Sequence, residues 1–304
     1  MSKPRLILAT SASMPNLYPD DAGLLDVLAD RGFDPRIEVW NDKNVNWGDA
    51  AATVVRSVVD YANHRKEFLQ WANSVPRILN QPDILEWSSD KHYLIELEKR
   101  GLEIIPTTWI AADKNYSKQQ LDARFPALED FVLKPTVSSG QRDIGRYSAK
   151  SADQKRHALD HATKLLASGR DLMLQRYEAD IETYGEISFV FLNGLLSHSV
   201  EKQAALHPQQ ENDETIHPVK VTPYEPTLEE MRWVEVLRRA VHSYIRDRRG
   251  HDEQMLYLRA DMVPDGNGSF RVMEVALADA DLYLNQVEGG LENFADAISV
   301  RVFW

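Results

Sequence analysis

The stretch from residue 131 to residue 146 constrains the fold of this chain more than any other. It begins with an apolar run, FVL, which is typical of a strand covered on both faces. Lys134 ends this run, and a loop of small residues, TVSSG, leads towards Arg142 and Arg146. Ammonium, guanidinium, hydroxyl and amide donors in one stretch are typical of a polyphosphate site. A hairpin with solvated cations is the alternative, and the rest of the chain must decide.

Length and charge narrow the class of protein. The 304 residues are enough for two domains, or for one domain with a lid. The formal net charge of −12 argues against nucleic-acid and anionic-membrane partners, which bind basic surfaces. No apolar run approaches the roughly 18 residues of a membrane span. A polyanionic ligand must therefore be held by a local cluster of cations.

Several classes of site are excluded by residues and motifs that the sequence lacks. The chain contains no cysteine, which rules out disulfides, thiolate chemistry and cysteine zinc sites. The motifs GxGxxG, GxxxxGK[ST] and GxSxG are absent, so neither a Rossmann fingerprint, a Walker loop nor a hydrolase elbow is expected. The opening decapeptide has no apolar stretch long enough for a signal peptide. A cytoplasmic location is the expectation.

The first part of the chain alternates short apolar strands with helical segments. This alternation predicts a parallel sheet, whose ligand sites lie beyond the carboxyl ends of its strands. Arg56, Asp60 and Tyr61 follow the expected strand 52–55 and are therefore candidates to contact a substrate. A local pair between Arg56 and Asp60, beside a packed tyrosine, is the alternative.

The next unit opens with a helix signal around Lys91. Ser88 or Ser89 can cap a helix predicted over residues 90–100, which would place Lys91 in its first turn. The helix dipole disfavours a cation there, so we expect an anionic partner, with an exposed helix lysine as the alternative. A strand follows over residues 104–110, and its proline predicts an edge position.

The second half of the chain contains two hairpin signals and a long helix. An Asn-Gly turn at 193–194 separates two apolar runs, the second of which ends at Lys202. A Gly-rich turn at 265–268 marks the other hairpin. The polar, proline-broken segment 203–228 between them is long enough for a functional lid. An amphipathic helix is expected over residues 228–248.

The Gly-rich hairpin carries acidic residues inside an apolar context. Arg259 and Asp261 lie two apart on one strand and therefore share a face. The turn can bring Glu274 opposite Asp261, which would give two carboxylates within reach of one Mg²⁺. A solvated face is the alternative, but buried carboxylates are costly unless they are paired or bound to metal.

In this order, these features resemble the ATP-grasp ligases over nearly the whole chain. Within that superfamily the chain is similar to the O-ureido-D-serine cyclo-ligases of D-cycloserine biosynthesis. The similar segments are VVRSVVDY, ILNQPDILEWSSDKHYL, VLKPTVSSGQRD, ETYGEISFVFLNGLLSHSV and YLRADMV with VMEVALADADLYL. The resemblance implies a mixed α/β and α+β chain with the ATP-grasp fold. It would comprise an N-terminal α/β domain (1–87) and two α+β subdomains (88–172 and 173–304) that hold the nucleotide between them.

The resemblance also implies ATP as a cofactor and assigns residues to each part of it. Cationic side chains would contact the phosphates, the small-residue loop would cover them, and other residues would bracket adenine and ribose. The residues so assigned are Lys91 and Lys134 at the phosphates, Ser138, Ser139 and Gly140 in the loop of residues 137–142, Gln175 and Tyr177 beside adenine, and Glu182 or Glu186 at the ribose.

The same resemblance implies Mg²⁺ and a substrate pocket. Cations would neutralise the transferring phosphoryl group and the acyl phosphate, and the acidic hairpin would hold the metal. The residues so assigned are Arg259, Lys202 and Arg142 as catalytic residues, Asp261 and Glu274 as Mg²⁺ ligands, and Arg56, Asp60 and Tyr61 in the substrate pocket.

Two departures from the family pattern concern the metal and the substrate. Ala276 stands where a second metal ligand, Asn or Glu, is usual, and Asp279 or Asp281 could substitute for it. Val58 and Val59 replace an expected Thr-Trp pair next to the substrate pocket.

The function implied is an ATP-dependent carboxylate–amine ligase that acts through an acyl phosphate. It would close a ring within one amino-acid-derived small molecule and yield a cycloserine-like or β-lactam product. One alternative is a ligase that joins two molecules, as dipeptide or glutathione-type ligases do. Another is a nucleotide-binding protein that has lost turnover. A monomer or homodimer is expected.

Overall fold

The computed structural model describes residues 3–140, 142–204 and 219–304. Strands and helices in these ranges are numbered in chain order. The strands are β1 (Arg5–Thr10), β2 (Asp34–Val39), β3 (Ala52–Val55), β4 (Ile78–Leu79), β5 (Thr107–Ile110), β6 (Asp130–Pro135), β7 (Gly145–Ser148), β8 (Leu172–Arg176), β9 (Glu186–Leu192), β10 (Leu195–Lys202), β11 (Val221–Pro223), β12 (Tyr257–Pro264) and β13 (Phe270–Ala276). The helices are α1 (Leu24–Asp30), α2 (Arg65–Ser74), α3 (Pro82–Ser88), α4 (Tyr93–Glu98), α5 (Lys118–Asp122), α6 (Ala152–Ala167), α7 (Asp180–Tyr184), α8 (Leu228–Arg249) and α9 (Gly290–Phe303).

The N-terminal sheet is parallel, as the alternation of strands and helices predicts. Its strand order is β2-β1-β3-β4, and β1 pairs in parallel with both β2 and β3. Every residue of β3 is buried, which explains its continuous apolar sequence. The carboxyl end of β3 leads directly into Arg56, so this sheet delivers the predicted substrate residues to one edge.

The central sheet is antiparallel, with the order β5-β8-β6-β7. β5 lies at its edge, as the proline before it predicts. Helix α6 covers one face through Ala158, Ala162 and Leu165. The strand β8 pairs with β5 and β6, so the central sheet continues to Arg176, past the expected subdomain limit at 172.

The C-terminal sheet is also antiparallel, with the order β11-β10-β9-β12-β13. The Asn-Gly hairpin is confirmed: Asn193 and Gly194 join β9 to β10 with φ angles of 47° and 78°. The Gly-rich turn joins β12 to β13, as predicted. Helix α8 packs on one face of this sheet, and α9 with the N-terminal sheet packs against the other.

The segment around Lys91 differs from its prediction. A continuous helix over residues 90–100 is expected, but the helix there, α4, begins only at Tyr93, so Lys91 lies in the turn between α3 and α4. The backbone N–H of Lys91 donates to the carbonyl of Thr136 (2.9 Å), which ties this residue to the segment that follows β6. Helices α3 and α4 pack on the C-terminal sheet, so this segment belongs to its core.

The predicted lid lies mostly outside the described residues, since these omit 205–218. The described residues after the gap form β11, which pairs antiparallel with the last residues of β10. Within the described ranges, no helix has the length and apolar character needed to cross a membrane.

Candidate active site

Two lysines that are distant in sequence share one buried site. Lys134 lies on β6, at the end of the apolar run, and is 5% exposed; Lys91 is 4% exposed. The Lys91 ammonium donates to both the carbonyl and the hydroxyl of Ser138 (3.0 Å each). It also lies 3.4 Å from a carboxylate oxygen of Glu274. Lys91 therefore lies beside both Ser138, in the loop of small residues, and Glu274, in the acidic hairpin.

The environment of Lys134 makes its charge conditional on pH. Burial lowers the pKa of Lys134 to about 8, with Glu274 opposing this shift and the neighbouring Lys91 adding to it. A phosphate brought to this site would favour the charged form, because an opposite charge nearby stabilises a buried ammonium.

The two carboxylates of the acidic hairpin face one another, as the sequence predicts. Asp261 on β12 pairs directly with Glu274 on β13, next to a register shift after Asp261. Asp261 accepts hydrogen bonds from the Ser188 hydroxyl (2.6 Å), Lys202 (3.3 Å) and Arg259 (2.8 Å).

Both carboxylates stay ionised, although Asp261 is only 3% exposed and Glu274 is 33% exposed. Burial alone would raise the pKa of Asp261, but Arg259 and Lys202 hold it at about 2. The pKa of Glu274 is also lowered against burial, chiefly by Lys91 and Lys134.

Glu186 and Lys202 form an ion pair beside these carboxylates. Burial raises the pKa of Glu186, whereas Asp261 and Glu186 raise the pKa of Lys202 against burial. Glu186 lies on β9 and Lys202 on β10. The close approach of these two strands depends on Gly185, which ends α7 with a φ angle of 71°. A Cβ atom at this position would lie 2.8 Å from the Lys202 carbonyl oxygen.

The site gathers four buried or half-buried cations, in a chain that is strongly acidic overall. Three carboxylates lie among them. Cations gathered in this way suit a polyphosphate. The cations are Lys91, Lys134, Lys202 and Arg259, and the carboxylates are Glu186, Asp261 and Glu274.

The donors present also fit Mg²⁺. Mg²⁺ needs only one or two protein carboxylates when phosphate oxygens and water complete its octahedron. Asp261 and Glu274 supply two ionised carboxylates on paired strands. Among the residues that the structure describes, no group of three or more histidine, aspartate or glutamate side chains is arranged to hold a metal by itself. The site therefore suits a metal that arrives with phosphates.

The phosphate loop, defined here as residues 137–140, is anchored from several sides. Arg170 donates to the Val137 carbonyl (3.2 Å), Lys91 holds Ser138, and the Ser139 hydroxyl donates to Asp279. Gly140 has a φ angle of 63°, a left-handed conformation that favours glycine. Arg142 follows, with its backbone N–H bonded to the Ser139 carbonyl (3.3 Å).

The residues assigned to adenine, Gln175 and Tyr177, lie at the end of β8 in the central sheet, whereas Glu182 lies in α7 and Glu186 begins β9 of the C-terminal sheet. The buried Gln175 donates to the Thr107 hydroxyl (2.9 Å), and the backbone N–H of Tyr177 donates to Asp130. The Arg146 guanidinium lies 3.4 Å from the centre of the Tyr177 ring. Glu182 accepts from both, through the Tyr177 hydroxyl (2.6 Å) and Arg146 (2.8 Å).

The sequence left open whether Glu182 or Glu186 contacts the ribose. These two glutamates have different surroundings. Glu182 is tied to Tyr177 and Arg146, whereas Glu186 lies among the charges of the phosphate end. Which of them contacts a ribose stays a prediction.

The predicted substrate residues have different partners in the structure. Arg56 is fully buried in an ion pair with Asp21 (2.6 Å) and donates to the Ala280 carbonyl (3.1 Å). Asp60 accepts from the Trp40 indole instead of pairing with Arg56. Tyr61 packs in an apolar cluster, where burial and the nearby charges of Asp279 and Glu274 raise its pKa. Arg56 therefore has a structural role here, and its contact with substrate stays a prediction.

Sequence reasoning missed several residues around the site. Ser188 lies two residues after Glu186 on β9, so strand alternation could have placed it on the same face. Tyr18 and Asp21 carry no such signal, because their partners are far away in the chain. Tyr283 has a left-handed φ angle of 54° and its ring faces Lys202 and Arg259, which no sequence pattern indicates.

Comparison with known proteins agrees with this geometry. A family model described as D-cycloserine synthetase DcsG, N-terminal domain, matches residues 6–80. The cycloserine biosynthesis protein DcsG of Streptomyces lavendulae is 31% identical over 309 residues, which cover 98% of each protein.

Solved structures extend the likeness to the whole fold. The crystal structure of D-cycloserine synthetase DcsG matches with a TM-score of 0.84 and 28% identity, over 98% of this chain and 99% of that one. The ATP complex of the D-alanine–D-alanine ligase from Bacillus anthracis matches with a TM-score of 0.69 and 14% identity, over 99% and 98%. A RimK domain ATP-grasp protein from Sphaerobacter thermophilus matches with a TM-score of 0.61 and 12% identity, over 97% of this chain and 98% of that one. The latter two are likenesses of fold alone. The chain belongs to the family of the cycloserine biosynthesis protein DcsG and has the ATP-grasp fold that its sequence predicts.

Proposed function

We propose that this protein is an ATP- and Mg²⁺-dependent ligase that closes a ring within one amino-acid-derived substrate, with a cycloserine-like product. The observation that carries the proposal is the convergence of Lys91, Lys134, Lys202 and Arg259 on the ionised pair Asp261 and Glu274. The relationship to DcsG supports the choice of product.

The proposed chemistry has two steps. The substrate carboxylate attacks the γ-phosphorus of ATP to give an acyl phosphate and ADP, and a nitrogen of the same molecule then displaces phosphate from the acyl carbon. A carboxylate resists direct attack by an amine, so this activation is what the site must provide. Because phosphoryl transfer depends on positioning and on electrostatic stabilisation, a rigid cluster of buried cations is suited to it.

Individual residues would share this work. Lys91 and Lys134 would hold the β- and γ-phosphates, since both ammonium groups are buried and reach the phosphate loop or its supporting strand. Lys202 and Arg259 would offset charge on the transferring group and on the acyl phosphate, and Arg142 would approach from the loop. Asp261 and Glu274 would hold Mg²⁺, whose charge offsets that of the phosphate oxygens it contacts.

The nucleotide would lie between the central and C-terminal sheets. Gln175 and Tyr177 would border adenine, and the two glutamates, Glu182 and Glu186, are the candidates for the ribose hydroxyls. The proposed substrate pocket lies towards the N-terminal sheet, where Tyr61 is close enough to Asp279 and Glu274 for their charges to affect it.

A phosphate-release screen tests the proposal. Purified protein with ATP and Mg²⁺ is supplied in turn with D- and L-amino acids and with their O-ureido derivatives. We expect ADP and phosphate with an O-ureido amino acid and with no second amine present. Absence of ADP formation with every compound would favour the alternative of a nucleotide-binding protein without turnover, to which Ala276 gives weight.

A crossover experiment separates ring closure from the joining of two molecules. An equal mixture of unlabelled and ¹⁵N-labelled substrate is converted, and the products are weighed by mass spectrometry. Ring closure gives only the two parental ring products. Products that combine both isotopic forms would instead identify a dipeptide-type ligase.

A further inference from the structure

The carboxylate of Asp279 joins three parts of the chain. It follows β13 in the C-terminal part and accepts hydrogen bonds from two hydroxyl groups in other parts. Tyr18, in the segment between β1 and α1, donates to Oδ1 (2.6 Å). Ser139, in the phosphate loop, donates to Oδ2. The Asp279 side chain therefore connects the N-terminal unit and the phosphate loop to the segment that follows the acidic hairpin.

The surroundings of Asp279 differ from those of the two carboxylates of the metal pair. Cations lower the pKa of Asp261 and Glu274, whereas burial raises the pKa of Asp279 although Ser139, Tyr18 and more distant arginines oppose this. Each oxygen of Asp279 is already engaged by a hydroxyl group. Both carboxylate oxygens of Asp279 thus act as acceptors for hydrogen bonds from the protein itself.

The backbone on both sides of Asp279 is held in place by other side chains. The Tyr257 hydroxyl donates to the Ala278 carbonyl (2.8 Å), and Arg56 donates to the Ala280 carbonyl (3.1 Å). A carboxylate on a backbone fixed at both neighbours is a firm anchor. The phosphate loop, by contrast, consists of small residues and contains a left-handed glycine.

We propose that Asp279 is a positioning residue that docks the phosphate loop onto the N-terminal unit through Ser139 and Tyr18. The contact adds a third anchor to those that Lys91 and Arg170 supply, and it closes the loop over the reacting groups. An acyl phosphate reacts with water, and closure of a loop over a site is a general means of excluding it. Asp279 is accordingly a determinant of loop closure and does not replace the ligand missing at Ala276.

Hydrogen exchange of the phosphate-loop amides tests this directly in the full-length protein. We expect Asp279→Ala and Ser139→Ala each to accelerate exchange about tenfold, the scale of losing one hydrogen bond to a charged group. The double variant should exchange no faster than Asp279→Ala, because both substitutions remove the same contact. Tyr18→Phe should have a smaller effect of the same sign. Ser13→Ala, at an exposed serine of the same N-terminal segment, is the matched control and should leave exchange unchanged.

Two results would overturn the proposal. One is unchanged exchange of the loop in both single variants. The other is a double variant whose effect is the product of the two single effects, since independent contributions mean that the hydroxyl and the carboxylate do not act together.

A titration of magnesium distinguishes a docking residue from a metal ligand. Binding of a non-hydrolysable ATP analogue is measured by calorimetry over a range of Mg²⁺ concentrations. A docking role predicts that Ser139→Ala and Asp279→Ala shift the Mg²⁺ dependence equally or not at all. A selective rise in the Mg²⁺ requirement of Asp279→Ala would show metal ligation and contradict the proposal.

A third measurement rests on the proposed ligase function. With a substrate that the wild-type protein converts, the ratio of phosphate released to product formed should rise in Asp279→Ala and Ser139→Ala, and not in Ser13→Ala. An unchanged ratio would contradict loop closure as the means of excluding water. Failure of the wild-type protein to form product would count against the ligase function alone, because exchange and calorimetry need no substrate.

Discussion

Lys134 combines burial with a position between carboxylates and another lysine. Its ammonium loses hydration, and the charges of Glu274 and Lys91 act on it in opposite directions. A phosphate group would restore the missing stabilisation, so this lysine is prepared for an anionic ligand. Because Lys134 lies on the buried strand β6, little reorganisation is needed when the ligand arrives.

Removal of the Lys134 ammonium should lower the catalytic efficiency of the protein with ATP. We expect Lys134→Ala to lower kcat/KM for ATP by about 3 kcal/mol of transition-state stabilisation, the scale for one preorganised electrostatic contact. Steady-state kinetics measures the loss. Lys150→Ala, at an exposed lysine shortly after β7, is the control. An unchanged kcat/KM in Lys134→Ala would remove this residue from its proposed role.

The lowered pKa of Lys134 predicts a dependence on pH. The cationic form predominates below a pH of about 8 and is lost as the pH rises through that value. We therefore expect kcat/KM for ATP to fall above pH 8, by at most about tenfold per pH unit for a single group.

Lys134→Arg supplies the matched test of this assignment. An arginine stays charged to a pH above about 12, so any activity that the variant retains should lose the alkaline fall. A fall at the same pH in the variant would assign the titration to another group.

At the scale of elements, the site depends on how closely the strands β9, β10 and β12 approach. Their inward residues bring Glu186, Lys202 and Asp261 together, and alternation along each strand keeps these charges on one face. The turn between α7 and β9 sets where β9 begins. Gly185 permits that turn because its φ angle of 71° is in the left-handed region.

Gly185→Ala should displace the start of β9. A Cβ would meet the Lys202 carbonyl oxygen at 2.8 Å, and this backbone atom cannot move without shifting β10. We expect a loss of stability of about 1–3 kcal/mol, the range for a non-glycine residue forced into a strained backbone. Urea unfolding measures this loss, and ATP affinity should fall with it because the Glu186–Lys202 pair moves.

Gly250→Ala is the matched control for this element. Gly250 also has a left-handed φ angle, 74°, at the end of α8, but a Cβ there meets no atom within 4 Å. It should lose stability without loss of ATP affinity. Equal effects of the two variants on ATP affinity would contradict the role assigned to the close approach at Gly185.

At the scale of the whole molecule, Arg56 ties the N-terminal unit to the loop after β13, because it pairs with Asp21 inside that unit and donates to the Ala280 carbonyl in the loop. Arg56 also packs over the rings of Tyr257 and Phe294, 5.6 and 5.1 Å from their centres. Its contact with the Ala280 carbonyl connects this packing to the segment that carries Asp279. Arg56 thus connects the N-terminal unit to the segment that carries Asp279.

Arg56→Met should destabilise the protein by about 3–5 kcal/mol, because it leaves the buried carboxylate of Asp21 without its partner. Arg36→Met removes an exposed pair with Asp34 in the same sheet and should cost less than about 1 kcal/mol. Urea unfolding gives both values. A loss for Arg56→Met as small as that for Arg36→Met would contradict the structural role.

The sequence by itself determined the elements whose signals are local. The parallel N-terminal unit, both hairpins, α8 and the edge position of β5 follow from alternation, turn residues and proline. The Gly-rich turn predicted that Glu274 can lie opposite Asp261, but the structure reaches this pairing only through the register shift after Asp261. The resemblance to the ATP-grasp ligases supplied the assignment of residues such as Lys91, Lys134 and Lys202 to one site.

Tertiary structure alone decided the contacts between distant segments. Lys91 lies before the helix expected for it and donates its backbone N–H to Thr136, and Arg56 pairs with Asp21 instead of Asp60. The docking of Ser139 and Tyr18 on Asp279 likewise has no signal in any one stretch. Hydrogen bonds and charges of this kind depend on distance in space, and periodicity reports only on neighbours along the chain.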